Sequence, residues 1–287
     1  MDQRIIDVYD DGTHKPLVRR VFLRRLAVLA GSSAAGMALL PMLDSHDAQA
    51  AVDPADARIQ SDYISYPGAT GLVRALLVRP HGVQGRLPAV IVIHENRGLT
   101  KHIEDVTRRV ALAGFVALAP DLFSPLGGTP ANERRARDRF THLNRLQAVA
   151  NAVGAVVYLR GRDDVTGKVG ITGFGWGGGI VNQVAVNSPD VTAAVPFYGE
   201  QPEAPDVPRI RAKMMLHYAS NDERINAGIP AFEAALEVSN ISFVKYQYDN
   251  TQHAFHNDTA RSSYNRAAAE LAWKRTIEFL RESLKSA

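Results

Sequence analysis

The sequence predicts an α/β protein whose mostly parallel sheet is covered by helices on both faces. Short apolar segments typical of strands alternate along the chain with longer amphipathic segments typical of helices, and this alternation favours parallel strands joined by helices. Segment 88–93 is an unbroken apolar run rich in Val and Ile, as expected for a strand that is buried on both faces. At 287 residues, the chain suits one large domain better than two small ones.

The composition is that of an ordinary globular protein. Apolar residues make up 46% of the chain and charged residues 22%, which are average fractions. The formal net charge of +3 gives no strong attraction for nucleic acid or for an anionic membrane, so neither is an expected partner. The chain has no cysteine, which excludes disulfide bonds and a thiol nucleophile.

The first 50 residues are predicted to be a twin-arginine signal peptide. Arg19 and Arg20 precede an apolar Phe-Leu pair and another arginine, as in signals that the twin-arginine export machinery recognises. A weakly apolar stretch follows at 26–43, and Ala48-Gln49-Ala50 supplies the small residues that signal peptidases accept. We therefore expect cleavage and a periplasmic or secreted protein with no stable membrane anchor. The alternative is a retained N-terminal anchor, although the stretch is barely long enough to span a bilayer.

The remaining residues, 51–287, are predicted to form one domain. It begins with a hairpin around Pro67-Gly68, and a helix ending at Gly114 places Glu104 one turn from Arg108. The predicted strands are 63–66, 72–79, 88–93, 115–119, 168–172, 191–197, 213–217 and 241–248. The predicted helices are 103–113, two pieces within 133–160, connections between the later strands, and 261–284.

Two segments between these elements have a distinctive composition. Segment 120–130 is rich in Pro and Gly and is predicted to be a surface loop and a candidate lid. The next helix carries a cluster of arginines that is predicted to be a solvated face, with partner binding as the alternative. Its members are Arg134, Arg135, Arg137 and Arg139.

The segment 168–178 reads as a short strand that turns sharply into a helix. Gly173 and Gly177 frame residue 175 in the pattern of the nucleophile elbow, which lifts a reactive side chain above the sheet of an α/β-hydrolase. Residue 175 is itself glycine, so the nucleophile position carries no side chain. The nearest hydroxyls, Thr172 and Ser188, are poor substitutes because they fall in the strand and far along the helix.

Asp222 and His253 are the predicted acid and base of this site. Asp222 follows the strand that ends near His217, and His253 follows the next strand, in the chain order of an α/β-hydrolase triad. The acid would hold the imidazole in one tautomer, and the imidazole would move protons at the reacting centre.

The loop after strand 88–93 supplies further candidates. Glu95 stands at the carboxyl end of that strand, which points to the usual site of such folds. It is either a site carboxylate partnered by Arg97 or half of a pair that braces the loop. The backbone N–H groups of Asn96 and Trp176 are the predicted oxyanion-hole donors.

Metal and nucleotide sites are weaker interpretations. Five residues could converge on a metal, but they lack the spacing of a known zinc motif. They are His94, Glu95, His217, His253 and His256. The glycines at 173–178 match a dinucleotide fingerprint only superficially, since no acidic residue follows at the required distance. No cofactor is expected.

The ordered set of segments around these residues resembles the dienelactone hydrolase family (carboxymethylenebutenolidase-like), in its twin-arginine-exported subgroup. The matching segments are 94–99, 117–121, 170–174, 195–199 and 253–256. The resemblance implies an eight-stranded α/β-hydrolase sheet and hydrolysis of a small ester or lactone. It also implies a Cys–His–Asp triad, with the glutamate that Glu95 matches modulating the thiol. Arg97 and Tyr198, in matching segments, are candidate substrate-binding residues.

The chain departs from this family pattern at two places. The family's cysteine falls on Gly175, and the arginine that holds a dienelactone carboxylate falls where His256 and Asn257 stand. Three hypotheses follow: a hydrolase in which His253 activates water or another group, an inactive exported protein that binds a small ester, lactone or carboxylate, or an ordinary enzyme altered at residue 175. Either a monomer or a dimer is expected.

Overall fold

The computed structural model describes residues 52–285, and the predicted signal peptide lies outside them. Eight strands form one sheet in the order β1-β2-β4-β3-β5-β6-β7-β8. The strands are β1 (Ile59–Gly68), β2 (Gly71–Pro80), β3 (Leu87–Ile93), β4 (Val116–Pro120), β5 (Val165–Phe174), β6 (Val191–Phe197), β7 (Lys213–Asn221) and β8 (Phe243–Gln252). The β1–β2 and β2–β4 pairs are antiparallel, and all the other pairs are parallel. The predicted α/β fold with a mostly parallel sheet is confirmed.

Helices cover both faces of the sheet, as the sequence predicts. The helices are α1 (Lys101–Leu112), α2 (Glu133–Thr141), α3 (Arg145–Arg160), α4 (Trp176–Asn187), α5 (Glu223–Asn226), α6 (Ile229–Val238) and α7 (Arg266–Ser283). Apolar residues of α3, α4 and α6 form one core cluster, and those of α1 and α7 form the other. Strand β3 lies between them, with Ala89–Ile93 fully buried, because a central parallel strand has helices on both sides.

Local sequence signals explain most element boundaries. The predicted hairpin is confirmed, with β1 and β2 paired up to Gly68 and Gly71. Glu104 and Arg108 form the predicted ion pair one turn apart on α1. Helix α7 begins later than predicted, because the Asn265 side chain accepts the N–H of Ala268 and caps the helix there.

The loop after β4 is not the pure surface loop that its composition predicts. Asp121, Leu122 and Phe123 are buried, and a 3₁₀ turn follows at Ser124–Leu126. The Asp121 carboxylate accepts hydrogen bonds from the N–H of Phe123 and from the N–H and hydroxyl of Thr129. These bonds provide acceptors for the N–H groups of the loop, which burial separates from water.

The parallel strands place their carboxyl ends at one edge of the sheet. The segments after β3, β5, β7 and β8 therefore meet there, which is where α/β folds bind ligands. Within residues 52–285, no helix combines the length and apolar character needed to cross a membrane.

Candidate active site

Gly175 forms the bend between β5 and α4. Its backbone angles, φ 55° and ψ −116°, lie in a region that L side chains rarely adopt and glycine adopts with little strain. Its N–H donates to the Phe197 carbonyl at 3.0 Å, and its carbonyl accepts from Gly179 N–H at 3.1 Å. The bend is thus held by backbone hydrogen bonds at both ends and needs no side chain at residue 175.

Gly177 allows helix α4 to pack directly on the end of β3. A Cβ atom at this residue would lie 2.7 Å from the Ile93 carbonyl oxygen and closer still to that of His94. Real Cβ contacts are not that short, so only glycine fits this position. The framing glycine therefore fixes the height of the bend above the sheet.

Asp222 and His253 meet across the same edge of the sheet. The His253 Nδ1 and Asp222 Oδ2 atoms are 2.5 Å apart. Asp222 is buried and caps α5, whereas the His253 side chain is 38% exposed. Because ionised Asp222 can only accept, His253 carries its proton on Nδ1 and leaves Nε2 as an acceptor when neutral.

The free nitrogen of His253 faces the bend. A Cβ atom at residue 175 would lie 3.3 Å from His253 Nε2 and 3.9 Å from Glu95 Oε1. The first contact is tight, so a side chain here would push the imidazole by a few tenths of an ångström. A basic nitrogen and a carboxylate oxygen therefore flank the place where the elbow would present its nucleophile.

Glu95 is half-buried beside this place and has a partner from the far end of the chain. Its Oε2 accepts a hydrogen bond from the Asn257 amide, a contact across 162 positions that the sequence does not predict. Arg97, also half-buried, follows in the same loop. Its pairing with Glu95 stays a prediction.

The two predicted oxyanion donors flank the bend. Asn96 is exposed, and Trp176 is half-buried as the first residue of α4. Within residues 52–285 neither backbone N–H takes part in a hydrogen bond between elements, and N–H groups in the first turn of a helix have no intrahelical acceptor. Trp176 stacks on His94, with ring centroids 5.7 Å apart, which fixes the first turn of α4 against the Glu95 loop.

Tyr198 is buried next to His253 in a strained conformation. Its φ is 37°, and its ring meets that of His253 edge-on at 5.0 Å. Burial raises the pKa of Tyr198 well above its usual value, and the negative charge of Glu95 raises it further. The hydroxyl stays protonated and has no partner with hydrogen-bond geometry in the described part of the chain. It is a buried donor beside the candidate site.

The loop that carries His253 is anchored by a buried ion cluster on the α1 side. Asp258 contacts His102 Nδ1 at 2.7 Å and Arg109 Nη2 at 3.1 Å, and Arg109 also pairs with Asp105. Although burial alone would raise the pKa of Asp258, the hydrogen bond from His102 and the nearby positive charges lower it overall. The cluster thus ties the loop between β8 and α7 to helix α1.

The histidines considered for a metal site have other partners. His94 donates from Nδ1 to the Glu95 carbonyl and accepts at Nε2 from Leu122 N–H, and burial lowers its pKa. His217 bonds to Tyr248 and Thr276. Burial, together with the charge of Arg275, lowers the pKa of His217 to about 3. His256 instead stacks on Phe174 at 4.9 Å. Among residues 52–285, no three His, Asp or Glu side chains form a group that could hold a metal ion.

Helix α2 lies over one side of the site. The Phe140 ring meets that of Trp176 edge-on, with centroids 5.5 Å apart. Arg134, Arg135 and Arg137 of the arginine cluster are exposed, while Arg139 donates to the Gly128 carbonyl. The helix therefore joins the loop after β4 to the residue that follows the bend.

Comparisons with known proteins agree with this architecture. The model of the dienelactone hydrolase family matches residues 73–284, which is most of the described chain. The chain belongs to the dienelactone hydrolase family. A Methylorubrum extorquens relative, provisionally named a carboxymethylenebutenolidase, is 30% identical, with 95% of this chain and 97% of the relative covered.

Two further comparisons agree with the family and with the fold. The crystal structure of a provisionally named dienelactone hydrolase from Klebsiella pneumoniae is 26% identical with a TM-score of 0.69, covering 78% of this chain and 99% of that one. A provisionally named hydrolase fragment, YghX of Escherichia coli K12, is 48% identical, covering 36% of this chain and 90% of the fragment. These likenesses make the protein a dienelactone hydrolase-like hydrolase with the α/β-hydrolase fold.

This family member has no hydroxyl or thiol on the elbow. Thr172 is fully buried, and its hydroxyl donates to the Val195 carbonyl. Ser188 lies just beyond the far end of α4. Neither replaces a side chain at Gly175. Asn257, in the stretch that follows His253, contacts Glu95.

Proposed function

We propose that this protein hydrolyses a small ester or lactone by using a water molecule in place of a side-chain nucleophile. The observation that supports this most is the 3.3 Å separation between His253 Nε2 and a Cβ position at Gly175. A water molecule beside this position can hydrogen-bond to an imidazole that Asp222 already holds in one tautomer. The reaction then proceeds without an acyl-enzyme intermediate.

In the proposed reaction, His253 acts first as base and then as acid. Nε2 takes a proton from water while the water oxygen attacks the carbonyl carbon, and the carbonyl oxygen gains the displaced electron pair. The N–H groups of Asn96 and Trp176 stabilise that oxyanion. When the tetrahedral intermediate collapses, the C–O bond to the leaving group breaks and His253 returns its proton to the alcohol oxygen. Ester and water thus give acid and alcohol.

Glu95, Arg97 and Tyr198 have supporting roles in this proposal. Glu95 Oε1, at 3.9 Å from the Cβ position, is a second acceptor that orients the attacking water. The half-buried side chain of Arg97 binds polar atoms of the substrate. Tyr198, predicted to bind substrate, is 0% exposed and instead packs its ring against that of His253. No cofactor takes part.

The proposed location is the periplasm or the medium. It is supported by the paired arginines, apolar stretch and small residues within 1–50. Expression of the full chain in a host with and without a functional twin-arginine translocase tests the proposal. Export in the first host alone, with a new N-terminus near Ala51, is expected, whereas cytoplasmic retention in both hosts would contradict it. The assembly state, monomer or dimer, is measured on the exported protein.

Hydrolysis of p-nitrophenyl acetate tests the proposed activity. The parent protein should hydrolyse this ester, and the activity should disappear in His253→Ala. Gly175→Cys and Gly175→Ser restore a covalent nucleophile, and a strong gain in either is expected. In a model triad enzyme, binding and the oxyanion hole alone leave roughly 10³–10⁴-fold catalysis over water, so the parent rate should be low.

The inactive binding protein gives a different pattern in the same assay. No activity in the parent, a strong gain in Gly175→Cys, and ester-dependent protection of the parent against thermal unfolding would overturn hydrolysis in favour of binding. If Gly175→Cys is folded and inactive, the elbow does not present a nucleophile to His253. Circular dichroism of each variant establishes that the fold is retained.

A further inference from the structure

We infer that the outer face of helix α3 is a docking surface for a second copy of this chain, with the two α3 helices packed antiparallel about a two-fold axis. This inference goes beyond the proposed function, because none of the residues it uses belongs to the candidate active site. An apolar stripe on α3, the groove beside it and the charges at the two ends of the helix each support it.

The apolar stripe on the outer face of α3 is formed by Leu146, Ala150, Val153 and Val157. Steps of four, three and four residues place these side chains on one line along a helix. Leu146 is 80% exposed and Val157 is 63% exposed, and the other two are half-buried. No charged residue occurs from 146 to 159, so the stripe lacks the charged side chains that a surface helix usually presents to water.

Helix α7, on the other face of the sheet, has a different solvent face. Ion pairs one turn apart lie along it, namely Arg266–Glu270 and Lys274–Glu278. Both α3 and α7 bury their inner face against the sheet, but of these two helices α3 alone leaves an apolar line exposed. Single exposed apolar residues are ordinary, whereas a contiguous set marks an interaction surface.

A groove of about 530 Å³ runs beside the stripe between α3 and α4. Val149 and Ala150 of α3 line one side, and the uncharged Gln183 and Asn187 of α4 line the other. With Leu146 protruding next to it, the surface has both a ridge and a groove. Helices pack by placing the ridge of one into the groove of the other, and a second copy of α3 supplies the matching ridge.

The stripe is self-complementary when the two helices run antiparallel. If the two-fold axis passes between residues 151 and 152, Leu146 faces Val157 of the second copy, and Ala150 faces Val153 of the second copy. Each contact then occurs twice, as an interface between identical surfaces requires. A larger side chain meets a smaller one along most of the line, whereas a parallel pair would set Leu146 against Leu146 and leave a gap at Ala150.

The charges at the two ends of α3 favour the same orientation. Arg145 at its start pairs with Glu200 at 2.5 Å, and Arg160 at its end pairs with Asp190. All four side chains are between 41% and 57% exposed, so each can take another partner. An antiparallel pair brings the start of one α3 to the end of the other, where Glu200 can also meet Arg160 of the second copy. The antiparallel helix dipoles are favourable as well.

The size of this surface predicts a weak dimer. A helix of 16 residues is about 24 Å long, and two such helices side by side are about 20 Å wide. The interface therefore buries roughly 500 Å² on each copy and roughly 1,000 Å² in total, which is the lower limit for a specific contact. We expect a dissociation constant of about 1–100 µM.

Sedimentation equilibrium of the purified protein, over about 1–300 µM, measures the association. The average mass should rise from that of one chain toward that of two. Leu146→Glu and Val157→Glu each place an unpaired carboxylate in the interface, so each should raise the dissociation constant at least about tenfold and leave the melting curve of the dilute protein unchanged. Val238→Glu is the matched control, because Val238 is 84% exposed at the end of α6, outside the stripe. It should associate like the parent.

Cysteine variants test the orientation, and the parent has no cysteine that could interfere. Leu146→Cys/Val157→Cys should form disulfides between copies under mild oxidation, whereas Leu146→Cys alone should not. Within one chain the two positions are about 16 Å apart along the helix, which is too far for a disulfide. Non-reducing electrophoresis separates the cross-linked dimer from the single chain.

Three results would overturn the inference. The first is a parent that stays monomeric up to about 300 µM. The second is a dimer that persists in both Leu146→Glu and Val157→Glu, or that Val238→Glu dissociates equally. The third is efficient cross-linking of Leu146→Cys alone, which requires a parallel pair. Hydrolysis of p-nitrophenyl acetate per chain is a separate measurement on the same samples, so the failure of either proposal leaves the other standing.

Discussion

Replacing Asp258 by asparagine should destabilise the protein through the buried cluster that anchors the His253 loop. The Asp258 side chain is 6% exposed and contacts His102, 2% exposed, and Arg109, 13% exposed. Asparagine keeps the shape and one acceptor oxygen for His102, but it removes the charge and presents an amide group to the guanidinium. The loop and helix α1 therefore lose their main polar connection.

The size of the stability loss depends on the polar partners that His102 and Arg109 keep in the variant. Removing one member of a buried ion pair costs about 3–5 kcal/mol when the other member is left without a partner. Arg109 retains Asp105, and His102 retains an oxygen acceptor, so the expected loss is about 2 kcal/mol. For a domain of this size, that loss lowers the unfolding midpoint by about 4–8 °C.

The stability loss caused by Asp258→Asn should depend on pH and should become smaller in acid. The folded-state pKa of Asp258 lies below 3.8, so the carboxylate stabilises the fold fully above the unfolded-state pKa and loses this contribution as pH falls through the folded-state pKa. The difference in unfolding free energy between parent and variant should be constant from about pH 7 to about pH 5 and shrink below about pH 4.

Urea denaturation at several pH values, followed by circular dichroism, measures this difference. Asp206→Asn is the control, because Asp206 forms a half-exposed pair with Arg209 and should change stability by less than about 0.5 kcal/mol. A difference for Asp258→Asn below about 0.5 kcal/mol, or one that grows as the solution becomes acidic, would refute the reasoning.

Three further predictions concern the site itself. Asn257→Ala removes the amide that holds Glu95 and should lower kcat/KM about fivefold, the equivalent of one hydrogen bond of about 1 kcal/mol. The melting temperature should change little. If the melting temperature falls together with kcat/KM, the role of Asn257 is purely structural. Gly177→Ala forces a Cβ atom against the His94 carbonyl and should cost about 3 kcal/mol or more, which a soluble variant with the parent's melting curve would contradict. Tyr198→Phe removes a buried hydroxyl without a hydrogen-bond partner and should stabilise the fold by about 1 kcal/mol. Thermal unfolding measures the change, and a loss of stability would show that the hydroxyl is bonded.

Much of the fold could be predicted because the relevant signals are local. The apolar run predicts strand β3, and the glycine that follows α1 predicts the end of that helix; both signals lie within a few residues. The sequence predicts α7 from Arg261, but 261–264 is a polar stretch with no apolar repeat, and the Asn265 cap decides the boundary. The sequence does not predict the burial of Asp121, because a proline- and glycine-rich composition does not reveal which N–H groups will donate to a carboxylate.

In the candidate site, too, some residues have a local sequence signal and others do not. Asp222 and His253 were recognisable because each follows a strand, and parallel strands end at the same edge. The contact between Asn257 and Glu95 joins residues far apart in sequence and has no local signal. Its only hint is that Asn257 stands four residues after His253, in a loop already expected to reach the site.

The bend at Gly175 shows that this fold forms without the side-chain atom that would act as the nucleophile at that residue. Backbone hydrogen bonds to Phe197 and Gly179 hold the turn, and its positive φ makes glycine the residue that adopts it with the least strain. The glycine codons GGT and GGC become cysteine or serine codons by a single base change. Under the proposed mechanism, a lineage with this fold can move between direct and covalent chemistry in one mutational step, at a cost of about 1–3 kcal/mol in backbone strain.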